Sequence, residues 1–155
     1  MHFLYGFMLF LSIGLVHAQD VPGCGSLENG YGPFGYRKAS KETIQIFEKF
    51  HFTPKIEYLI PGRNKEDYFG GDISYTPRAF PNHYRALITI QRLANRETND
   101  SPSHAEFSVT CYSDRVIRFQ LDAPIVRMLF VRYLIKKART EEATRQLDGH
   151  QPSRG

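Results

Sequence analysis

The stretch from Gly70 to Arg96, GGDISYTPRAFPNHYRALITIQRLANR, constrains the fold more than any other. Pro77 and Pro81 fix φ and remove two backbone donors, so the residues before Asn82 are expected to be extended, with Pro81 in the first turn of a helix. The pair Gly70-Gly71 is expected to form a tight turn with positive φ. From Asn82 to Asn95 the pattern is helical. Ala86, Leu87, Ile90, Leu93 and Ala94 share one face at a period of about 3.6 residues, and Arg85, Arg92 and Arg96 share the other. His83 falls on the apolar side. A helix with one apolar face needs further elements to cover it, and the rest of the chain supplies them as helices.

Upstream, Ser40 can cap a helix from Lys41 to about Phe50, with Ile44, Phe47 and Ile46 turned inward. Thr53-Pro54 restarts a short helix to Ile60, which Pro61-Gly62 stops, and a polar loop follows from Arg63 to Gly71. Downstream, ETNDSPS forms turns and Ser103-His104-Ala105-Glu106 reads as a capping box. The helix it opens runs to about Phe119, with Ala105, Val109, Tyr112, Val116 and Phe119 on one stripe and Cys111 and Phe107 on the opposite side. Pro124 opens a helix through about Lys137, Thr140 begins a last short one, and the tail 149–155 is expected to fray. No segment alternates as a strand does, so the fold class is all-α, with one helical domain over 41–148.

Residues 19–40 differ in kind. Glycine and proline at this density disfavour a regular element, whereas Tyr31, Phe34 and Tyr36 gain from burial. The segment is therefore expected to be an irregular arm laid over the helices. Before it, an apolar run from Phe3 to Val16 ends in Val16-His17-Ala18, a small-residue pattern of the kind removed from secretory signal peptides, so residues 1–18 are expected to direct export to the periplasm or beyond. The run carries no lysine or arginine ahead of it, and an uncleaved anchor stays open as an alternative. In an oxidising compartment the two cysteines, Cys24 and Cys111, are expected to pair, closing a loop of more than eighty residues and stabilising the fold by about 4 kcal/mol.

The last two helices resemble a tetratricopeptide repeat, in which two helices cross at small residues with a period of about 34. With Ala143 of TEEATRQL as the small residue of the second helix, Val109 stands one period earlier and Val116 at the next small site. CYSDRVIRFQLDAP followed by IVRMLFVRYLIKKARTEEA is similar to the end of one repeat running into the next. Val131 and Ala138 stand where glycines are usual, Ser113 where an aromatic is, and Leu121 where the turn proline is. The blocks CGSLENGYGPFGYR, HFTPKIEYL and GGDISYTPRAFPNHYRAL resemble the N-terminal part of exported bacterial tetratricopeptide-like proteins of unknown function. The resemblance implies helical hairpins over about 82–148, little more than one repeat unit, and a face that binds peptides or proteins.

Motifs for chemistry are sparse. The sequence contains no CxxC, HxxxH, CxxCH or nucleophile elbow, and no lysine follows the glycine pair as a phosphate loop requires. No catalytic residue and no cofactor is expected. The alternative is a small metal- or haem-binding envelope protein using His51 and His83, and a further one a hydrolase built on Cys24. The net charge of +4 is spread along the chain, which reads as a solvated basic surface and not as a nucleic-acid site. The expected function is that of a non-enzymatic scaffold or accessory subunit of a bacterial envelope assembly. Its partner would be another envelope protein or a second copy, with membrane contact at most peripheral. The expected partner-binding residues are Met128, Phe130 and Tyr133, with Arg132 and Lys136 supplying charge.

Overall fold

A computed structural model describes residues 23–62 and 68–148. The expected leader, the polar loop's core and the fraying tail lie outside the described residues. Within them the chain is all-helical: α1 Lys41–His51, α2 Pro54–Glu57, α3 Phe69–Ala79, α4 Tyr84–Arg96, α5 Val109–Phe119, α6 Pro124–Lys136 and α7 Thr140–Asp148. Short turns at 80–83 and 137–139 fold α3 onto α4 and α6 onto α7 as hairpins, and α4 also packs against α5 and α6.

The apolar face expected for α4 is the centre of this packing. Leu87, Ile90, Leu93 and Ala94 join Ile73 of α3, Val109, Tyr112 and Val116 of α5, Phe130 and Leu134 of α6 and Ala143 of α7 in one core. A smaller aromatic core holds Phe47, Ala79 and Phe80, with Tyr36 and Tyr75 against it. Ser40 caps α1 by accepting from the Thr43 N–H at 3.1 Å. Of the three residues expected inward on α1, Phe47 is buried and Ile44 half-buried, whereas Ile46 is exposed. The short second helix ends at Glu57, three residues early, and Leu59 beyond it takes a left-handed φ of 53° while its side chain is buried.

Two local expectations are corrected. The segment before Asn82 is not extended: α3 runs through Gly70, Gly71 and Pro77. Neither glycine has positive φ; Gly70 instead lets another backbone approach, since a Cβ there would lie 2.0 Å from the Ser103 carbonyl oxygen. Pro77 offers no N–H to the Ile73 carbonyl, yet it sits buried beside Ile73, Thr76 and Ala79 on the face α3 turns to the core. Burial of that face outweighs the missing hydrogen bond.

The second correction concerns α5, which starts at Val109 and not at the capping box. Ser108 is its cap, accepting from the Cys111 N–H at 3.1 Å. His104 takes a φ of 62°, which ends any helix from Ser103. The box residues serve elsewhere: Glu106 meets Arg78 at 2.6 Å and its N–H donates to Ser74 Oγ, while the Ser103 N–H donates to Glu97. Ala138, in the place where a repeat has glycine, has a φ of 58° and turns the chain from α6 into α7.

The arm lies over the helices as an irregular, ordered segment. Cys24 is disulfide-bonded to Cys111 across a sequence separation of 87. Arg115 of α5, 1% exposed, donates to the carbonyls of Cys24 and Ser26 and stacks over Phe107, and Arg118 donates to the Gly25 carbonyl at 3.0 Å. Further along, the Phe34 N–H donates to the Ala79 carbonyl, and Tyr31 stacks on Phe47 with ring centroids 6.1 Å apart.

Candidate functional site

Two places on the molecule concentrate polar chemistry, and they differ in kind. The first is a network where the arm, α1, α2 and α4 meet. Arg85 donates to both oxygens of Glu57 at 2.8 and 2.5 Å and to Glu48 Oε2 at 3.0 Å. Glu48 also accepts from the Tyr36 hydroxyl at 2.8 Å and faces His83 Nε2 at 3.1 Å. His83, wholly buried, caps α4, its Nδ1 accepting from the Ala86 N–H at 3.1 Å. That bond places the ring proton on Nε2, toward Glu48. Burial pushes the imidazole pKa down to about 4, against the pull of Glu48. Burial raises the pKa of Glu48, but the Tyr36 hydrogen bond and the Arg85 and His83 charges outweigh it and hold the carboxyl low. Hydrogen bonding from Arg85 holds Glu57 low, and Glu57 in turn raises Arg85 further above its ordinary value.

Every polar atom of this network has a partner within the protein, so its physical role is to join four elements. His83 spends one ring nitrogen on the cap and the other on Glu48. His51, on the exposed side of α1, packs its ring against Tyr75 and Phe47. The geometry therefore gives the pair no shared ligand position, and no group of three histidine, cysteine, aspartate or glutamate residues is placed to hold a metal among the described residues. Cys24 has no thiol to act as a nucleophile, because its sulfur is in the disulfide.

The second place is the outward face of α6 and the groove between it and α4. The helix is apolar nearly all round: Val126, Phe130, Val131, Tyr133 and Leu134 are buried, while Ile125, Met128 and Ile135 are 52, 61 and 59% exposed. A helix of that composition is covered on all sides in a larger core, and here one side is open. Spacings of three, four and three place Ile125, Met128, Arg132 and Ile135 on that side. Beside it is a groove of about 300 Å³ lined by Ile88, Gln91, Arg92 and Asn95 of α4 and Leu129, Arg132, Tyr133 and Lys136 of α6.

The expected partner-binding residues thus divide. Met128, Arg132 and Lys136 are exposed together on the open face. Phe130 and Tyr133 are core residues, 4 and 2% exposed, which corrects the expectation that they anchor a partner. Tyr133 forms only a wall of the groove, and its hydroxyl donates to Asp100 at 2.7 Å; burial and the Asp100 carboxylate push its pKa up. Residues of α4 that the sequence reading left out, Gln91 and Asn95 above all, complete the groove.

No protein-family model matches the chain, and no curated protein or solved structure matches it.

Proposed function

We propose that this protein works by binding another protein through the open face of α6 and the α4–α6 groove, as a scaffold or accessory subunit of a bacterial envelope assembly. The observation that carries the reading is the exposed stripe Ile125, Met128 and Ile135 beside a groove. Covering the exposed half of three large apolar side chains contributes about 1–1.5 kcal/mol each, a favourable term toward association to which the groove contacts add. On this reading the likeness to a tetratricopeptide unit rests on α4 packing against α5 and α6, and α6 against α7, and the ends of such arrays bury their faces against further repeats or partners.

The disulfide is compatible with an oxidising compartment, which suits export. No helix among the described residues is long and apolar enough to cross a membrane. The chemistry is non-enzymatic on this reading: His83, Arg85 and Tyr36, all strongly perturbed, converge on Glu48, and the Tyr133 hydroxyl at the groove wall is spent on Asp100. The alternative with His51 and His83 as ligands draws no support from this geometry.

The test is affinity capture of the tagged full-length chain after mild crosslinking, beside its Met128→Glu variant. One stoichiometric partner is expected, with recovery from the variant reduced about tenfold, since a buried charge opposes the contact. Equal recovery from both proteins, or none from either, would falsify the assignment.

A further inference from the structure

We propose that the groove takes an acidic amphipathic segment of the partner, with carboxylates on Arg92, Arg132 and Lys136 and apolar side chains on Leu129 and Met128. This rests on the reading of the α4–α6 face as the docking face. Three cations line the groove and no carboxylate does. Arg132 and Lys136 are exposed and make no ion pair or hydrogen bond among the described residues. Four other helix-borne arginines do meet carboxylates: Arg78 with Glu106, Arg85 with Glu48 and Glu57, Arg118 with Asp114, and Arg139 with Glu142. On this face, unmatched positive charge therefore lies beside the exposed apolar stripe of Ile125, Met128 and Ile135.

Charge alone would suit several occupants, and the shape and symmetry of the face select among them. A second copy would meet this face with the same face, placing Arg92, Arg132 and Lys136 against like charges. A lipid surface is flat and would cover Met128 and Ile135 without entering the cleft between the helices. A peptide chain enters the cleft, and the amides of Gln91 and Asn95 on the groove wall are suited to its backbone. Gln91 now donates to the Leu129 carbonyl at 3.4 Å, a long bond that such a backbone would replace at little cost.

The test titrates the full-length, disulfide-intact, nitrogen-15-labelled protein with fluorescein-labelled peptides in which pairs of glutamate alternate with leucine. Counterpart peptides carry glutamine or lysine in place of glutamate, and vesicles of phosphatidylcholine and phosphatidylglycerol are titrated alongside. The glutamate peptide is expected to bind, to move the amide signals of residues 88–95 and 125–136, and to weaken as salt rises. Affinity should fall about tenfold or more in the R132E/K136E variant, whose melting temperature stays the same because both side chains are exposed. If the glutamine peptide moves the same amides equally well and ignores the charge reversal, the acidic preference falls and the docking face stands. If no peptide moves those amides at millimolar concentration, both fall. Vesicle binding tighter than any peptide, lost on charge reversal, overturns the proposal in favour of a lipid ligand.

Discussion

His83 shows how one side chain ties local structure to the pH response of the whole fold. Its folded pKa of about 4 lies below its ordinary 6.5, so as pH falls the unfolded chain takes up the proton first. The sign follows: this contribution is whole above about pH 6.5 and is lost on acidification from there to about 4, for a total of about 3 kcal/mol at most. Glu48 and Glu57, both held low, act in the same direction at still lower pH, their contribution being lost as pH falls below the ordinary 4.5. Replacing His83 by Asn keeps an acceptor at the helix cap and removes the titration. Urea unfolding of both proteins at several pH values should therefore show a shallower loss in H83N between pH 6.5 and 4, by about 1.4 kcal/mol per pH unit where the difference is largest. Equal slopes contradict the assignment. The sequence placed His83 correctly on the apolar side of its helix. Its partners were not legible, because Glu48 and Tyr36 lie far away in the chain and Arg85 falls on the opposite face of the helix from the apolar residues.

At the scale of elements, the glycine pair in α3 separates two physical roles that look identical in sequence. A Cβ at position 70 meets the backbone at Ser103 and Ala105, neither of which can rotate away, whereas one at position 71 would come no nearer than 3.7 Å to the His104 carbonyl. Gly70→Ala should cost about 2–4 kcal/mol, as overpacking against rigid neighbours does, and Gly71→Ala should be neutral or gain about 0.5–1 kcal/mol of helix propensity. Denaturant midpoints of the two variants check this, and similar midpoints for both contradict it. The same helix marks where sequence reading fails. Phe69, Ile73, Thr76 and Phe80 recur at helical spacing, but two glycines and a proline suggest a turn more strongly than four residues suggest a face. The start of α5 was misplaced for a related reason: Ser103 and Ser108 both precede helical patterns, and only the left-handed backbone at His104 distinguishes them. In contrast, α6 and α7 were legible because their apolar periodicity agrees with Pro124 and Thr140 on where they start, and α4 by its apolar face, although Pro81, expected in its first turn, lies in the turn before it and the helix begins at Tyr84.

For the whole molecule, the arm is the part whose placement depends most on long-range ties. The disulfide and the carbonyl bonds from Arg115 and Arg118, the Phe34 N–H bond to the Ala79 carbonyl, and the Tyr36 hydroxyl fasten residues 24–36 to α5, α3 and α1. Replacing both cysteines by serine should lower stability by about 4–5 kcal/mol, as loss of an 87-residue crosslink implies, and should speed amide exchange in the arm. An unchanged midpoint with unchanged exchange would show that the arginine bonds suffice. The cysteine pairing was legible from count and helix face; the carbonyl clamp was not, since an arginine on α5 gives no sign in sequence of being buried. The arm covers parts of α1, α3 and α5, and α6 leaves a face open. Function on this account resides where the fold is incomplete, on the exposed stripe and its unmatched cations. A photo-crosslinking residue at position 128, compared in living cells with one at the exposed Thr144 of α7, tests that most directly. The account predicts one discrete protein adduct from position 128, absent from position 144 and weakened by R132E/K136E. No adduct from 128, or the same adducts from both positions, would contradict it.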